Sequence, residues 1–109
     1  MRSSLRREFD RRLRKVDDDL LRVRAAGRTA HAIFADTILH LLRRGPMKTV
    51  EIHQGVKRVH PDLCDDRIDR VISDQHFGKK WKHGVRTAQV FLRRRGDIRL
   101  ENGKWHLSD

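Results

Sequence analysis

The pair Asn102-Gly103 constrains this chain more than any other two residues. It lies between two alternating four-residue runs, Ile98-Arg99-Leu100-Glu101 and Lys104-Trp105-His106-Leu107. Asn-Gly supplies the two positive φ angles of a type I′ turn, whose twist matches that of the flanking strands. The pattern predicts a hairpin with Ile98, Leu100, Trp105 and Leu107 on one inward face. A two-stranded hairpin does not hold itself together in water, so that face must lie on another layer. Upstream, the sequence offers helices for that layer.

Residues 4–26 predict a long helix, capped by Ser3 or Ser4 and free of Pro and Gly until Gly27. Phe9, Leu13, Val16, Leu20 and Val23 are spaced 4, 3, 4, 3, a heptad-like seam. Glu8/Arg12, Asp10/Arg14 and Asp18/Arg22 are acid-before-base pairs on its flanks. The seam either pairs with a second copy, giving a homodimer through residues 4–26, or lies on the rest of its own chain. Residues 1–28 thus form an assembly or packing helix, and 29–109 a single small domain.

Within that domain a second helix is expected from Thr29 or Ala30 to about Arg43, burying Ile33, Phe34, Ile38, Leu41 and Leu42. Gly45-Pro46 stops it. A third, capped by Thr49 with Glu51 in its first turn, runs through Val59 with Val50, Ile52, Val56 and Val59 apolar. Gly55 in its middle permits close approach of a neighbouring helix. Asp62 or Asp65 caps a fourth helix at about 65–75, with Ile68, Val71 and Ile72 inward. After a loop at 76–80, a fifth runs over about 81–95. Trp81, Val85, Ala88 and Leu92 form its core stripe, Phe91 widens it, and Gly96 ends it. The fold class is mainly α with a small C-terminal β-hairpin. The order of helix, turn, helix and hairpin is that of a winged helix-turn-helix preceded by a long N-terminal helix.

Charge then says what such a domain meets. Lys and Arg number 26 against 15 Asp and Glu, a net charge of +11. Residues 45–75 carry five basic and six acidic residues, whereas residues 76–109 carry nine and three. A basic C-terminal third on a neutral middle points to one element presented to a phosphate backbone. An α-helix fits the major groove of B-DNA. On the expected last helix, Lys82, Arg86, Gln89 and Arg93 share a stripe opposite the core, with His83 beside it. Arg86 can read guanine and Gln89 adenine through paired hydrogen bonds. Lys79, Lys80 and Lys82 lie at the helix N-terminus, where phosphates bind. Arg93, Arg94 and Arg95 either touch DNA or simply favour the helix dipole. Arg99 and Lys104 flank the hairpin tip and either grip phosphate or discourage edge pairing.

Residues 81–107 resemble the close of the N-terminal winged-helix domain of Mrr-type restriction endonucleases. There a pattern like Arg-Val-x-x-Ala-x-x-x-Leu-x-x-x-Gly-x-Ile is followed by Gly-x-Trp-x-Leu. Val85, Ala88, Leu92, Gly96, Ile98, Gly103, Trp105 and Leu107 fit it. Residues 36–53 are similar to the first helix and turn of HARE-HTH domains. The chain departs in having Gly84 before Val85, where a basic residue is common, and in carrying no appended nuclease domain. The resemblance implies recognition of double-stranded DNA without cleavage, in a regulator or a targeting component of a restriction or defence system.

Other chemistry finds less support. No apolar run exceeds the four residues Ala32–Ala35, so no membrane span is expected. Cys64 is the only cysteine, which excludes an intrachain disulfide and a thiol-only zinc site. His53, His60, Cys64, Asp65, His76 and His83 match no zinc spacing. Cys64 with His60 or His76 is thin support for a nucleophile, and Asp65/Asp66 with Lys79 is the sole nuclease candidate. Trp81 and Trp105 are in phase with core stripes and there is no Tyr, which disfavours a base-stacking platform. The expectation is a cytoplasmic, nucleoid-associated, non-enzymatic protein with no metal, cofactor or small-molecule substrate. The competing reading is a protein-interaction module that docks through the N-terminal helix.

Overall fold

The computed structural model describes residues 7–16, 18 and 28–108. Residues 7–16 are helical (α1), and Asp18 is also helical. The seam's continuation at Leu20 and Val23, the Ser3/Ser4 cap, Arg22 and the break at Ala25–Gly27 lie outside the described residues. Glu8 and Arg12 form the expected pair at 2.7 Å on the surface.

Helix α2 spans Ala30–Leu42. Thr29 starts it, its hydroxyl accepting the Ala32 N–H at 3.2 Å. Ile33, Phe34, Ile38, Leu41 and Leu42 are all buried, as their spacing predicts. Helix α3 spans Thr49–Val59. Lys48, not Thr49, is its N-cap, and the Glu51 carboxylate reaches back to accept the Lys48 N–H at 3.0 Å. Thr49 is thereby released for another task, accepting the Trp105 indole N–H at 2.9 Å. Ile52, Val56 and Val59 are buried, but Val50 faces outward in the first turn. Gly55 lies against α2: a Cβ there would sit 2.7 Å from Leu41 Cδ1.

The region after α3 departs from expectation. A short 3-10 turn at Pro61–Leu63 leads not to a helix over 65–75 but to an antiparallel hairpin, β1 (Asp69–Ile72) and β2 (Gln75–Lys79). The fold is therefore a mixed one, with two hairpins rather than one. Ser73 and Asp74 carry φ angles of +49° and +63°, the signature a type I′ turn requires at both central residues. Ile68, Val71 and Ile72 are exposed, not inward. Their 3, 1 spacing imitates a helical stripe, but here these three side chains lie exposed and it is Arg70 of β1 that reaches α4. Asp65 caps no helix; it accepts the Arg67 N–H at 2.9 Å and pairs with the Arg67 guanidinium.

Helix α4 follows directly, Lys80–Arg95. Trp81, Val85, Ala88 and Leu92 pack against α2 and α3, and Gly96 closes the helix at φ +83°. Phe91 does not widen the core. It is exposed, with its ring edge-on to His31 at 5.2 Å. The C-terminal hairpin, β3 (Ile98–Glu101) and β4 (Lys104–Leu107), has the expected register, Ile98 opposite Leu107 and Leu100 opposite Trp105. Asn102 and Gly103 turn it at φ +53° and +76°. Ile98 and Trp105 enter the core and Leu107 lies at its margin, whereas Leu100 is exposed. Met47, between α2 and α3, pairs with Trp105 through both backbone bonds, 3.1 and 2.7 Å. That single residue gives β4 a second neighbour and ties the hairpin to the helical layer.

One buried polar pair sits within this core. The Thr37 hydroxyl donates to the Ile33 carbonyl at 2.8 Å, so it accepts from His60 Nε2–H at 2.9 Å.

Candidate nucleic-acid interface

Two interactions fix α4 at its N-terminal end. Asp66 accepts the Trp81 indole N–H at 2.8 Å and pairs with Lys57 of α3. These donors hold its carboxyl below the usual carboxylate range. Lys79 donates to the Asp66 carbonyl at 2.6 Å and lies 3.9 Å from the Asp69 carboxylate. Lys79 is thus occupied in holding β2 to the preceding loop. Gly84 lets α4 approach α2, since a Cβ there would meet Phe34 at 3.0 Å.

The outer side of α4 carries no carboxylate anywhere between residues 80 and 95, and six Lys or Arg. Lys80 and Arg86 are exposed, and Arg86 Nε reaches only the Lys82 carbonyl, at 3.4 Å. Lys82 is half-buried with its ammonium 5.7 Å from the Trp81 ring centre. Arg93 and Arg94 project to solvent in the last turn. Arg95 differs: it pairs with Asp97 at 2.6 Å and lies 5.3 Å from the Phe91 ring centre.

Gln89 does not join this stripe. It is only 2% exposed, beside Val85 and Leu92, so the expectation that it reads a base edge does not fit its position. The 4, 3, 4 spacing drifts round the helix, and its inner member falls on the core margin. Arg99 is also less available than its place on the hairpin suggests. Its Nε donates to Glu101 at 3.1 Å and its Nη1 to the Leu107 carbonyl at 2.8 Å, bracing the strands. Lys104 remains exposed.

His83 is half-buried and is reached by Arg70 of β1 at 3.3 Å, with Nδ1 as acceptor. Burial first, then the charges of Arg70 and Arg86, lower its pKa, so the ring is neutral near pH 7. Arg70 was not recognisable from sequence, because only the unforeseen β1 hairpin brings it to α4. His53 of α3 was likewise missed. It lies edge-on to Trp81 at 5.8 Å, and burial, then Arg86 and Lys82, push its pKa down to about 4. A neutral His53 beneath Arg86 and Lys82 avoids adding a third positive charge there.

The candidates for other chemistry lie elsewhere. Cys64 is buried, and that burial pushes its thiol up to about 11, far from a thiolate at neutral pH. Among the described residues no three His, Cys, Asp or Glu side chains come together as a metal site, and no helix is long and apolar enough to cross a membrane. No family model, curated protein or solved structure matches the chain.

Proposed function

We propose that this chain binds double-stranded DNA as a winged helix-turn-helix, with α4 in the major groove and the β3–β4 hairpin along the adjacent backbone. The carrying observation is the outer side of α4. Lys80, Lys82, Arg86, Arg93 and Arg94, together with Lys104 on the hairpin, have no ion pair among the described residues. Structural cations usually meet a carboxylate or sit at a helix C-terminus. Lys80 and Lys82 do the reverse, opposing the dipole at the N-terminus, which costs about 0.3–1 kcal/mol each. A phosphate at that position turns the cost into attraction. The Met47–Trp105 pairing supports the winged arrangement, because it aligns the hairpin beside the helices as a wing requires. The engagement of Asp65 with Arg67, and of Asp66 with Lys57 and Trp81, favours binding without cleavage.

Arg86 is the base reader in this arrangement, and Arg93, Arg94, Lys80, Lys82 and Lys104 contact phosphate. Neutralising about six phosphates gives a log–log salt slope near −5, or roughly a thousandfold loss of affinity for a fourfold rise in salt. Anisotropy titrations of a labelled duplex across that salt range test it. A slope flatter than about −2 rejects the interface. So does a triple Arg86→Ala, Arg93→Ala, Arg94→Ala variant that binds as tightly as the parent.

A further inference from the structure

An amphipathic helix at the edge of a domain normally turns its apolar stripe inward. Helix α1 does the opposite. Phe9, Leu13 and Val16 are 61%, 49% and 55% exposed. Among the described residues before α2, the buried one is Asp18, at 7% exposure. At 3.6 residues per turn, Asp18 lies half a turn round the helix from Phe9. Its carboxylate faces Arg58 of α3 at 3.4 Å, with His40 Nε2 at 3.8 Å and Arg44 at 4.0 Å. Arg14, one turn earlier on the same side, lines a cavity of about 220 Å³ with Leu41, Arg44, Pro46 and Arg58. The helix is therefore seated on its own domain by its polar side, and that seating holds the seam away from the domain.

We propose that Phe9, Leu13 and Val16 form one half of a parallel two-helix contact, the other half being the same seam on a second copy of this chain. A ten-residue helix with every residue exposed gains little from its own hydrogen bonds. Covering the seam supplies the missing stabilisation. The flanking charges select the occupant. With Leu13 at heptad position a, and Phe9 and Val16 at d, Arg12 is at g and the next e position in the sequence is Asp17. In a parallel pair each g residue faces the following e residue of the partner, so Arg12 meets Asp17 twice by symmetry. An antiparallel pair would instead bring e to e, setting Asp10 against Asp17. The present Arg12–Glu8 pair is an exposed one and is readily exchanged.

Sedimentation of the full chain, without DNA, tests the contact. The expected result is a species of twice 12.9 kDa. Leu13→Asp should weaken dimerisation by about tenfold or more, leaving Trp81 and Trp105 fluorescence unchanged. Arg12→Asp should also weaken it, and Arg12→Asp combined with Asp17→Arg should restore it. A wild-type chain that stays monomeric to millimolar concentration overturns the proposal and assigns the seam to a different protein. A dimer that survives Leu13→Asp overturns it too. If Leu13→Asp unfolds the chain, the charge pair decides: failure of the double variant to recover rejects the parallel contact.

Discussion

Thr37→Val isolates the hydrogen-bonded side-chain pair Thr37–His60, buried between α2 and the end of α3. The Thr37 hydroxyl proton is committed to the Ile33 carbonyl, so its lone pair takes the His60 Nε2 proton. Valine has nearly the same shape and removes only the hydroxyl. The Ile33 carbonyl keeps its helical partner, but His60 Nε2–H loses its acceptor in a site that water does not reach. Taking this acceptor from a buried donor costs about 1–3 kcal/mol. The added methyl returns up to about 0.8 kcal/mol. The net loss is about 0.2–2 kcal/mol, or up to roughly 15 °C in Tm for a domain of this size. Thermal and urea unfolding followed by tryptophan fluorescence measure it. The same substitution in a His60→Leu background should be nearly neutral, because both polar partners are then gone. An equal loss from Thr37→Val in both backgrounds refutes the hydrogen-bond assignment.

Three further outcomes are expected. His53 is depressed to about 4 from its ordinary 6.5, so the folded chain refuses a proton that the unfolded chain accepts. Its contribution to stability is complete above pH 6.5 and is lost as pH falls from there towards 4, with a slope of at most about 1.4 kcal/mol per pH unit before solvent screening reduces it. His53→Leu should flatten that part of a stability–pH curve from urea titrations. Gly55→Ala should lower Tm although alanine is the better helix former: about 1 kcal/mol of propensity is set against about 1–3 kcal/mol of overpacking on Leu41. Asp74→Gly should slow hydrogen exchange across β1–β2, since glycine accepts the +63° φ that costs an L-residue about 1 kcal/mol.

Much of the fold is readable in the sequence because its signals are local. The Thr29 cap, the Gly45-Pro46 stop, the Trp81/Val85/Ala88/Leu92 stripe and the Asn102-Gly103 turn each depend on a few adjacent residues. Even Gly55 could be read as a point of close approach. The β1–β2 hairpin could not, because Ser73-Asp74 is a weaker turn pair than Asn-Gly and Ile68, Val71 and Ile72 mimic helical spacing. Burial would normally separate strand from helix, but Ile68, Val71 and Ile72 are exposed. The candidate interface was legible to the extent that it depends on α4 alone. Gln89 was misplaced because spacing gives a direction round the helix but not the width of the core. Lys79 and Arg99 have partners, Asp66 and the Leu107 carbonyl, that come from outside their own segments and so were not legible. Arg70 and His53 reach α4 only through tertiary packing.

The Met47–Trp105 bridge and the Trp105–Thr49 hydrogen bond also bear on how the chain folds. Trp105 and Thr49 are 56 positions apart, so their pairing must close a long loop. During synthesis, α2 and α3 can pack early, since little chain separates them. The third edge of their assembly does not exist until residues 98–107 have emerged. Closure is therefore a late and slow event, governed by loop entropy rather than by local propensity. Until then the apolar surface that Ile98 and Trp105 cover stays open to water, and this is the interval in which the nascent domain is most prone to aggregate.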